Sequence, residues 1–253
     1  MKKEKVFKTI VVLFLVLSGY YIYTENFTGE TVTIANWNLQ IFGDAKSSDP
    51  QLLIDYASII DNYDIIFIQE IRDKDGSSFK ELCFLLPNYQ CEISSRAGRS
   101  SSKEQYGIIF KNGINLTELK DFNPDEQDRW ERPPIEATFQ INETELIIYN
   151  LHSKPDDVKN ELSALESIVN DNSMILGDLN ADCSYYSPEK EPEFDSWNWV
   201  IPDNADTTTG ATDCAYDRII LGEEINYKNY GIYKKIDSNL SDHYLVWIEI
   251  KLK

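Results

Sequence analysis

The stretch Ile175-Leu176-Gly177-Asp178-Leu179-Asn180-Ala181-Asp182-Cys183-Ser184-Tyr185 constrains the fold more than any other part of the chain. An apolar run stops abruptly there in Gly-Asp-x-Asn. A buried strand delivers a carboxylate and an amide to its carboxyl end in this way, where loops that do chemistry collect. Alone, the segment reads equally well as an Asx-rich turn closing a strand. The same ending recurs, however. Asn38 follows Val32-Thr-Ile-Ala, Glu70 follows Ile65-Ile-Phe-Ile-Gln, and His152 follows Leu146-Ile-Ile-Tyr-Asn-Leu. Asp217 precedes Arg218-Ile-Ile-Leu, and Asp242-His243 precede Tyr244-Leu-Val-Trp-Ile, so strands entering and leaving the core carry the same chemistry. Neighbouring strands that align these ends would form one acidic pocket.

Those runs set the architecture. Asp64 to Ile71 is nearly continuous in apolar residues, which marks a strand covered on both faces. Further strands are predicted at Val32 to Leu39, Tyr89 to Ser95, Gln105 to Lys111, Met174 to Leu179, Tyr216 to Leu221 and Tyr244 to Lys251. Ile135 to Ile141 is predicted to pair with Glu145 to Leu151 through an Asn-containing turn. Helices are predicted from Asp49-Pro50, a cap followed by a helix-starting proline, to about Asn62, from about Ser77 to Leu86, and from about Asp156 to Asn170. Strands are the majority and helices the cover, which predicts an α/β fold: a two-sheet β-sandwich flanked by helices. The chain has 253 residues, 42% of them hydrophobic, and no linker, repeat or low-complexity tract divides it, so residues 31–253 read as one domain.

Residues 1–30 stand apart. Lys2, Lys3, Lys5 and Lys8 precede an apolar run from Thr9 to Tyr23, about the length of a signal-peptide core. Small residues suited to cleavage are few, and two readings stay open: a cleaved signal peptide, or a membrane anchor through residues 9–23. Either predicts a secreted or membrane-anchored extracellular protein. In an oxidising compartment the four cysteines suggest disulfides, with three pairings allowed. Joining Cys183 to Cys214 would close a loop of roughly thirty residues and contribute roughly 3 to 4 kcal/mol. Cys83, in a predicted helix, and Cys91, in the next strand, read as two buried thiols, although a second bridge is allowed.

With 24 basic and 43 acidic residues the net charge is -19, which repels polyanions unless cations intervene or basic residues cluster. Composition alone therefore argues against nucleic acid. The histidines argue otherwise. There are only two, His152 and His243, and both fall at strand junctions with a carboxylate available to raise the pKa and fix the tautomer. Singly, each is more often a structural residue; together they suit a general acid and a general base. Glu70, Asp178 and Asp242 with Asn38 are hard oxygen donors suited to Mg²⁺ or Ca²⁺ and poorly suited to structural zinc. Two imidazoles, a hard cation and no activated Ser or Cys fit hydrolysis of a phosphate ester.

The blocks Ala35-Asn-Trp-Asn38, Ile68-Gln-Glu70-Ile-Arg72, Arg132-Pro-Pro, Leu151-His152-Ser, Gly177-Asp-Leu-Asn-Ala-Asp-Cys-Ser-Tyr185, Cys214-Ala-Tyr-Asp-Arg218 and Ser241-Asp-His-Tyr244 resemble the endonuclease/exonuclease/phosphatase superfamily. Within it they are most similar to the pancreatic-type deoxyribonuclease I family. The resemblance spans residues 31–253; Asn-Ala-Asp-Cys-Ser-Tyr and Cys-Ala-Tyr-Asp-Arg are specific to that branch, whereas Ser-Asp-His is superfamily-wide. It implies a two-sheet α/β sandwich and a secreted, divalent-metal-dependent endodeoxyribonuclease of low sequence specificity. It further implies a monomer that acts on DNA with Mg²⁺ or Mn²⁺ and carries structural Ca²⁺.

By the same resemblance, Glu104 pairs with His152 and Asp217 with His243 as two acid/base pairs. Glu70 becomes the principal metal ligand, Asn38, Asp178 and Asp242 complete the phosphate and metal site, and Asn180 orients the scissile phosphate. Arg72 and Arg132 match residues that meet the minor groove and a backbone phosphate, and Tyr185 matches one lining the DNA surface. Asp206 and Thr208, in Asp206-Thr-Thr-Thr-Gly-Ala-Thr212, match a calcium loop in which Gly210 replaces a threonine. Cys183 and Cys214 are expected to be bonded, because their flanking motifs must be brought together. The sequence also departs from the family: Gln40 stands for a DNA-contacting arginine, Ser102 for a tyrosine that packs in the minor groove, and the acidic loop Asp121 to Asp128 lacks the family's short disulfide. Two other readings remain. One is a sphingomyelinase-like or phosphoinositide phosphodiesterase of the same superfamily, which an anchor would suit but no apolar hairpin supports. The other is a non-catalytic exported binding module, disfavoured by the retained catalytic side chains.

Overall fold

The computed structural model describes Phe27, residues 29–99 and residues 101–253. The predicted signal or anchor run at residues 9–23 lies outside the described residues. Among the described residues no helix is long and apolar enough to cross a membrane.

In chain order the strands are β1 (Thr31–Phe42), β2 (Ile65–Ile71), β3 (Tyr89–Ile93), β4 (Gln105–Lys111), β5 (Asn115–Asp121), β6 (Ile135–Ile141), β7 (Thr144–Asn150), β8 (Ser173–Asp178), β9 (Asn198–Trp199), β10 (Asp217–Leu221), β11 (Tyr227–Tyr233) and β12 (Leu245–Lys251). The helices are α1 (Asp44–Ser47), α2 (Pro50–Ile60), α3 (Ser77–Phe84) and α4 (Val158–Glu166). One six-stranded sheet has the order β11-β12-β1-β2-β4-β3 and the other β5-β6-β7-β8-β10-β9. The predicted two-sheet sandwich with outer helices is therefore the observed fold.

Both sheets follow one plan. Each has a parallel pair at its centre, β1 with β2 and β7 with β8, and every other pairing is antiparallel. A parallel pair needs a crossover, which α1 and α2 supply in the first sheet and the Pro155–Asp157 turn with α4 in the second. Asp49 caps α2 by accepting from the N–H groups of Gln51 and Leu52, as its position before Pro50 predicts. Because both strands of a parallel pair end at the same edge, β1, β2, β7 and β8 deliver their carboxyl ends to one pole. Their antiparallel neighbours β4, β6, β10 and β12 begin there.

Strand periodicity then decides what reaches that pole. Val32 and Ile34 of β1, Ile65 and Phe67 of β2, Leu146 and Ile148 of β7, and Met174 and Leu176 of β8 face the core between the sheets. The alternate residues Ala35, Trp37, Ile66 and Ile68 pack under α2 and α3, and Tyr149, Ile175 and Ile220 pack under α4. Two residues further along each inward series stand Asn36, Gln69, Asn150 and Asp178, and the β1 and β7 series run on to Asn38 and His152. The interior thus changes from apolar to amide to ionisable along the strand direction.

The amide layer is self-satisfied. Asn36 Nδ2 donates to Gln69 Oε1 (3.2 Å), Asn150 Nδ2 donates to Asn36 Oδ1 (2.8 Å), and Gln69 Nε2 donates to the Leu151 carbonyl (2.8 Å). Gln69 Oε1 also accepts the Asp178 N–H at 2.8 Å, which ties the layer to the site above it. Gly177 is fixed by packing in the same place: its φ is +153°, and a Cβ there would lie 2.0 Å from the Leu151 carbonyl oxygen.

The structure corrects some expectations. Cys83 and Cys91 form a disulfide with Cα atoms 6.4 Å apart instead of lying as two thiols; the tight return from α3 into β3 brings them together. Strands β5 and β11 were not expected; they are the outer strands of their sheets, and most of their side chains are exposed or half-buried. The helix expected to reach Asn170 ends as α4 at Glu166.

Candidate active site

Asp178 stands where the two sheets meet at the polar pole. Its Oδ2 lies 3.3 Å from His152 Nε2 and 3.5 Å from His243 Nε2, and it accepts from Asn38 Nδ2 at 3.0 Å. The two imidazoles reach it from opposite sheets, His152 from the end of β7 and His243 from just before β12. Behind each ring sits a buried carboxylate: Glu104 Oε1 is 2.5 Å from His152 Nδ1, and Asp217 Oδ2 is 2.8 Å from His243 Nδ1. Both pairs therefore turn Nε2 toward the same point.

Glu70 occupies a neighbouring corner. It accepts from Asn38 Nδ2 (3.3 Å) and from the Ile41 N–H (2.9 Å), and Arg72 Nε lies 3.4 Å away. Gln40, Ile41, Glu70 and Asn180 all have φ between +47° and +63°. Non-glycine residues rarely adopt that region, and such strain gathers at functional sites. Asn180 donates from Nδ2 to the Ser153 carbonyl (3.0 Å), and the half-exposed Asp242 reaches to 3.8 Å from His243 Nε2. Asn38 turns its amide nitrogen to both carboxylates and its oxygen to the Gln40 N–H, so in this arrangement it braces Glu70 and Asp178 instead of offering them a metal-ligating oxygen.

The electrostatics follow from burial and crowding. Burial and Arg132 lower His152, but Glu104 and Asp178 outweigh them and carry it up to about 9. Burial likewise lowers His243, while Asp217, Asp178 and Asp242 lift it to about 10. Burial raises Asp178, yet the two imidazoles and Asn38 hold it far below the usual carboxylate range. Burial pushes Asp217 up to about 6 against the pull of His243. The surrounding carboxylates thus favour the imidazolium form of both rings.

A hard divalent cation fits this pocket. Glu70, Asp178 and Asp242 offer carboxylate oxygens, and a further buried acceptor, Glu104 Oε2, has no hydrogen-bond donor. One ligand atom from each of Glu70, Glu104 and His152 can lie within 4.8 Å of the others. The loop expected to hold calcium, residues 206–212, is already paired within the chain. Asp206 Oδ1 accepts from the Thr208 N–H, its Oδ2 faces Lys234 Nζ at 3.4 Å, and Thr208 Oγ1 donates to the Thr212 carbonyl. In the acidic loop Asp125 and Asp128 are paired with Arg129 and Arg99.

The residues expected at a DNA surface divide. Tyr185 is exposed on the rim, beside the ring of Tyr216. Arg72 and Arg132 lean into the site: Arg72 lies 3.7 Å from Glu104, and Arg132 donates to the carbonyls of His152 and Ser153. Cys183 and Cys214 are bonded and join the loop after Asn180 to the loop before Asp217. Sequence reasoning missed the amide layer, although amides at inward positions of apolar strands were a readable signal. It also missed Thr207, whose buried hydroxyl accepts the Asp217 N–H (3.1 Å), and the fully buried Arg218, which donates to the carbonyls of Ala181 and Ile201.

Comparison with known proteins places this geometry. The profile described as "Endonuclease/Exonuclease/phosphatase family" matches residues 35–243. Deoxyribonuclease-1 of Gallus gallus is 33% identical over 264 residues, covering 88% of this chain and 93% of that protein. Deoxyribonuclease-1 of Homo sapiens is 30% identical over 261 residues, covering 87% and 93%. An endonuclease/exonuclease/phosphatase crystal structure from Bacteroides vulgatus shares the fold with a TM-score of 0.64 at 17% identity, covering 89% of this chain and 100% of that one.

Proposed function

Since the chain belongs to the endonuclease/exonuclease/phosphatase family, in its deoxyribonuclease-1 branch, we propose that residues 31–253 form an exported, divalent-metal-dependent endodeoxyribonuclease that hydrolyses DNA phosphodiesters with low sequence preference. The observation that carries this reading is the convergence of two carboxylate-backed imidazoles on Asp178. Hydrolysis needs one proton removed from the attacking water and one delivered to the leaving sugar oxygen, and paired imidazoles about one point can do both.

Glu104 and Asp217 hold the Nδ1 protons of His152 and His243, fix both tautomers and aim both Nε2 atoms at the phosphate. The carboxylates behind and beside the rings favour their charged form, which suits one of them to act as the acid. Mg²⁺ or Mn²⁺ held by Glu70, Asp178 and Asp242 would neutralise the phosphoryl oxygens and, as positive charge beside the carboxylates, bring one imidazole into the range of a base. Asn180 is positioned to orient the phosphate and Asn38 to keep Glu70 and Asp178 in register. Arg72, Arg132 and Tyr185 supply the DNA contacts that the net charge of -19 otherwise opposes. Two disulfides support export, because they persist in oxidising compartments. Residues 1–30 would serve as the signal or anchor.

Nicking of supercoiled plasmid across a Mg²⁺ titration tests this with the Glu70→Gln variant. That change removes a hard charged ligand from a polar site, so it should shift metal-dependent activity far more than the melting temperature. An unchanged Mg²⁺ dependence would place the ion elsewhere.

A further inference from the structure

Two surface loops brace the two imidazole pairs, and carboxylates of each face a basic side chain: Arg99 and Arg129 at residues 121–131, and Lys234, which follows β11, at residues 206–212. Arg99 lies in the loop closed by the short bridge between Ala97 and Glu104, on the segment that presents Glu104 to His152. Its Nε lies 2.8 Å from Asp128 Oδ1, its NH2 donates to the Asp128 carbonyl (2.6 Å), its own N–H donates to Glu131 Oε1 (2.9 Å), and NH1 is 3.7 Å from Glu131 Oε2. Next in the chain, Arg129 grips Asp125 through Nε, NH2 and its N–H and lies 4.2 Å over the Trp130 ring. The loop so closed runs directly into Arg132, which lies 3.4 Å from Glu104.

The second loop, residues 206–212, does the same for the other pair. Thr207 accepts the N–H groups of Asp217 and Tyr244, and the Thr209 N–H donates to the Asp242 carbonyl, so this loop clasps the strands that bring Asp217 and His243 together. Its anchor, Asp206, faces Lys234 Nζ at 3.4 Å, and that ammonium also sits 5.6 Å over the Tyr244 ring.

We propose that Arg99, with Arg129, and Lys234 are built-in cations that do in these loops what bound calcium would otherwise do, so that both imidazole pairs are held in place without it. Calcium requires six to eight oxygens, about the whole donor set of such a loop. Here Asp125, Asp128, Glu131 and Asp206 already face cations tethered to the chain. Isolated exposed ion pairs are weak, but Arg99 engages a carboxylate and a carbonyl of one residue together with a second carboxylate, and Arg129 engages both oxygens of Asp125, the geometries in which pairing persists. Arg99 and Lys234 are thereby positioning residues. The proposal rests on the reading of the imidazole pairs as the reacting groups only where activity is measured.

The test is thermal unfolding of the full chain in millimolar Mg²⁺, which fills the catalytic pocket, with either EGTA or millimolar Ca²⁺ added. Wild type should melt at the same temperature in both. A structural calcium site filled to a hundredfold its dissociation constant would raise the midpoint by roughly 5 to 10 °C, and a rise of that size overturns the proposal. The Arg99→Met, Lys234→Met double variant frees Asp128, Glu131 and Asp206, so its midpoint should rise with Ca²⁺ and its kcat, lowered in EGTA, should recover with Ca²⁺ while KM stays put. A double variant as active as wild type in EGTA would also overturn it. Should that variant not fold, the wild-type melt decides alone, and it reads out even if the protein fails to cut DNA.

Discussion

Asp178 is shared by the two imidazole rings, and this makes the site one unit in which neither ring can be removed without disturbing the other. His152→Ala and His243→Ala are each expected to lower plasmid nicking by at least about two orders of magnitude, the scale of general acid/base catalysis, with near-native circular dichroism. The double variant should lose little beyond either single change, because residues that act in one step are not additive; full activity in either single variant would sink the two-imidazole mechanism. Gln69 works differently. Gln69→Leu strands the Asp178 N–H and the Asn36 amide in a buried layer, which should cost roughly 1 to 3 kcal/mol in urea unfolding and lower kcat as Asp178 loosens. Unchanged stability would mean that the amide layer is dispensable. Most of the residues that meet at Asp178 were legible in the sequence because each closes or opens an apolar run. The braces were not: Thr207 and Arg218 act through backbone carbonyls and N–H groups that no side-chain pattern announces.

Legibility at the scale of elements tracked burial. Strands covered on both faces, such as β2 and β8, are continuous apolar runs and stand out, whereas the outer strands β5 and β11 read as polar, aperiodic segments because solvent covers much of them. Their place comes only from pairing with β6 and β12. The cysteines show a related limit. Pairing of Cys183 with Cys214 could be argued from two motifs that had to meet, while the link from Cys83 to Cys91 depends on how α3 turns into β3. A non-reduced digest analysed by mass spectrometry should yield Cys183 linked to Cys214 and Cys83 linked to Cys91; any crossed pair would refute this connectivity. Replacing Cys183 and Cys214 together by serine should cost roughly 3 to 4 kcal/mol in denaturant unfolding, in keeping with the loop they close.

The whole molecule carries net charge -19, and it must nevertheless approach a polyanion. Few arginines face the site, and Arg72 is held against Glu70 and Glu104, so salt should weaken DNA binding only moderately. With Gln40 and Ser102 in place of a cation and a ring, discrimination by groove width should be weak, since narrow A-tract grooves reward inserted arginine. Cleavage maps of one labelled duplex should show A-tracts and mixed sequence cut more evenly by wild type than by the Gln40→Arg, Ser102→Tyr variant; identical band patterns would show that these positions do not set the preference. The full-length protein should be incubated with supercoiled plasmid in millimolar Mg²⁺ and in EDTA, in parallel with sphingomyelin and phosphoinositide vesicles. Open-circular DNA in Mg²⁺, none in EDTA and no released lipid headgroup is the expected result; intact plasmid in Mg²⁺, or headgroup release without nicking, would contradict it.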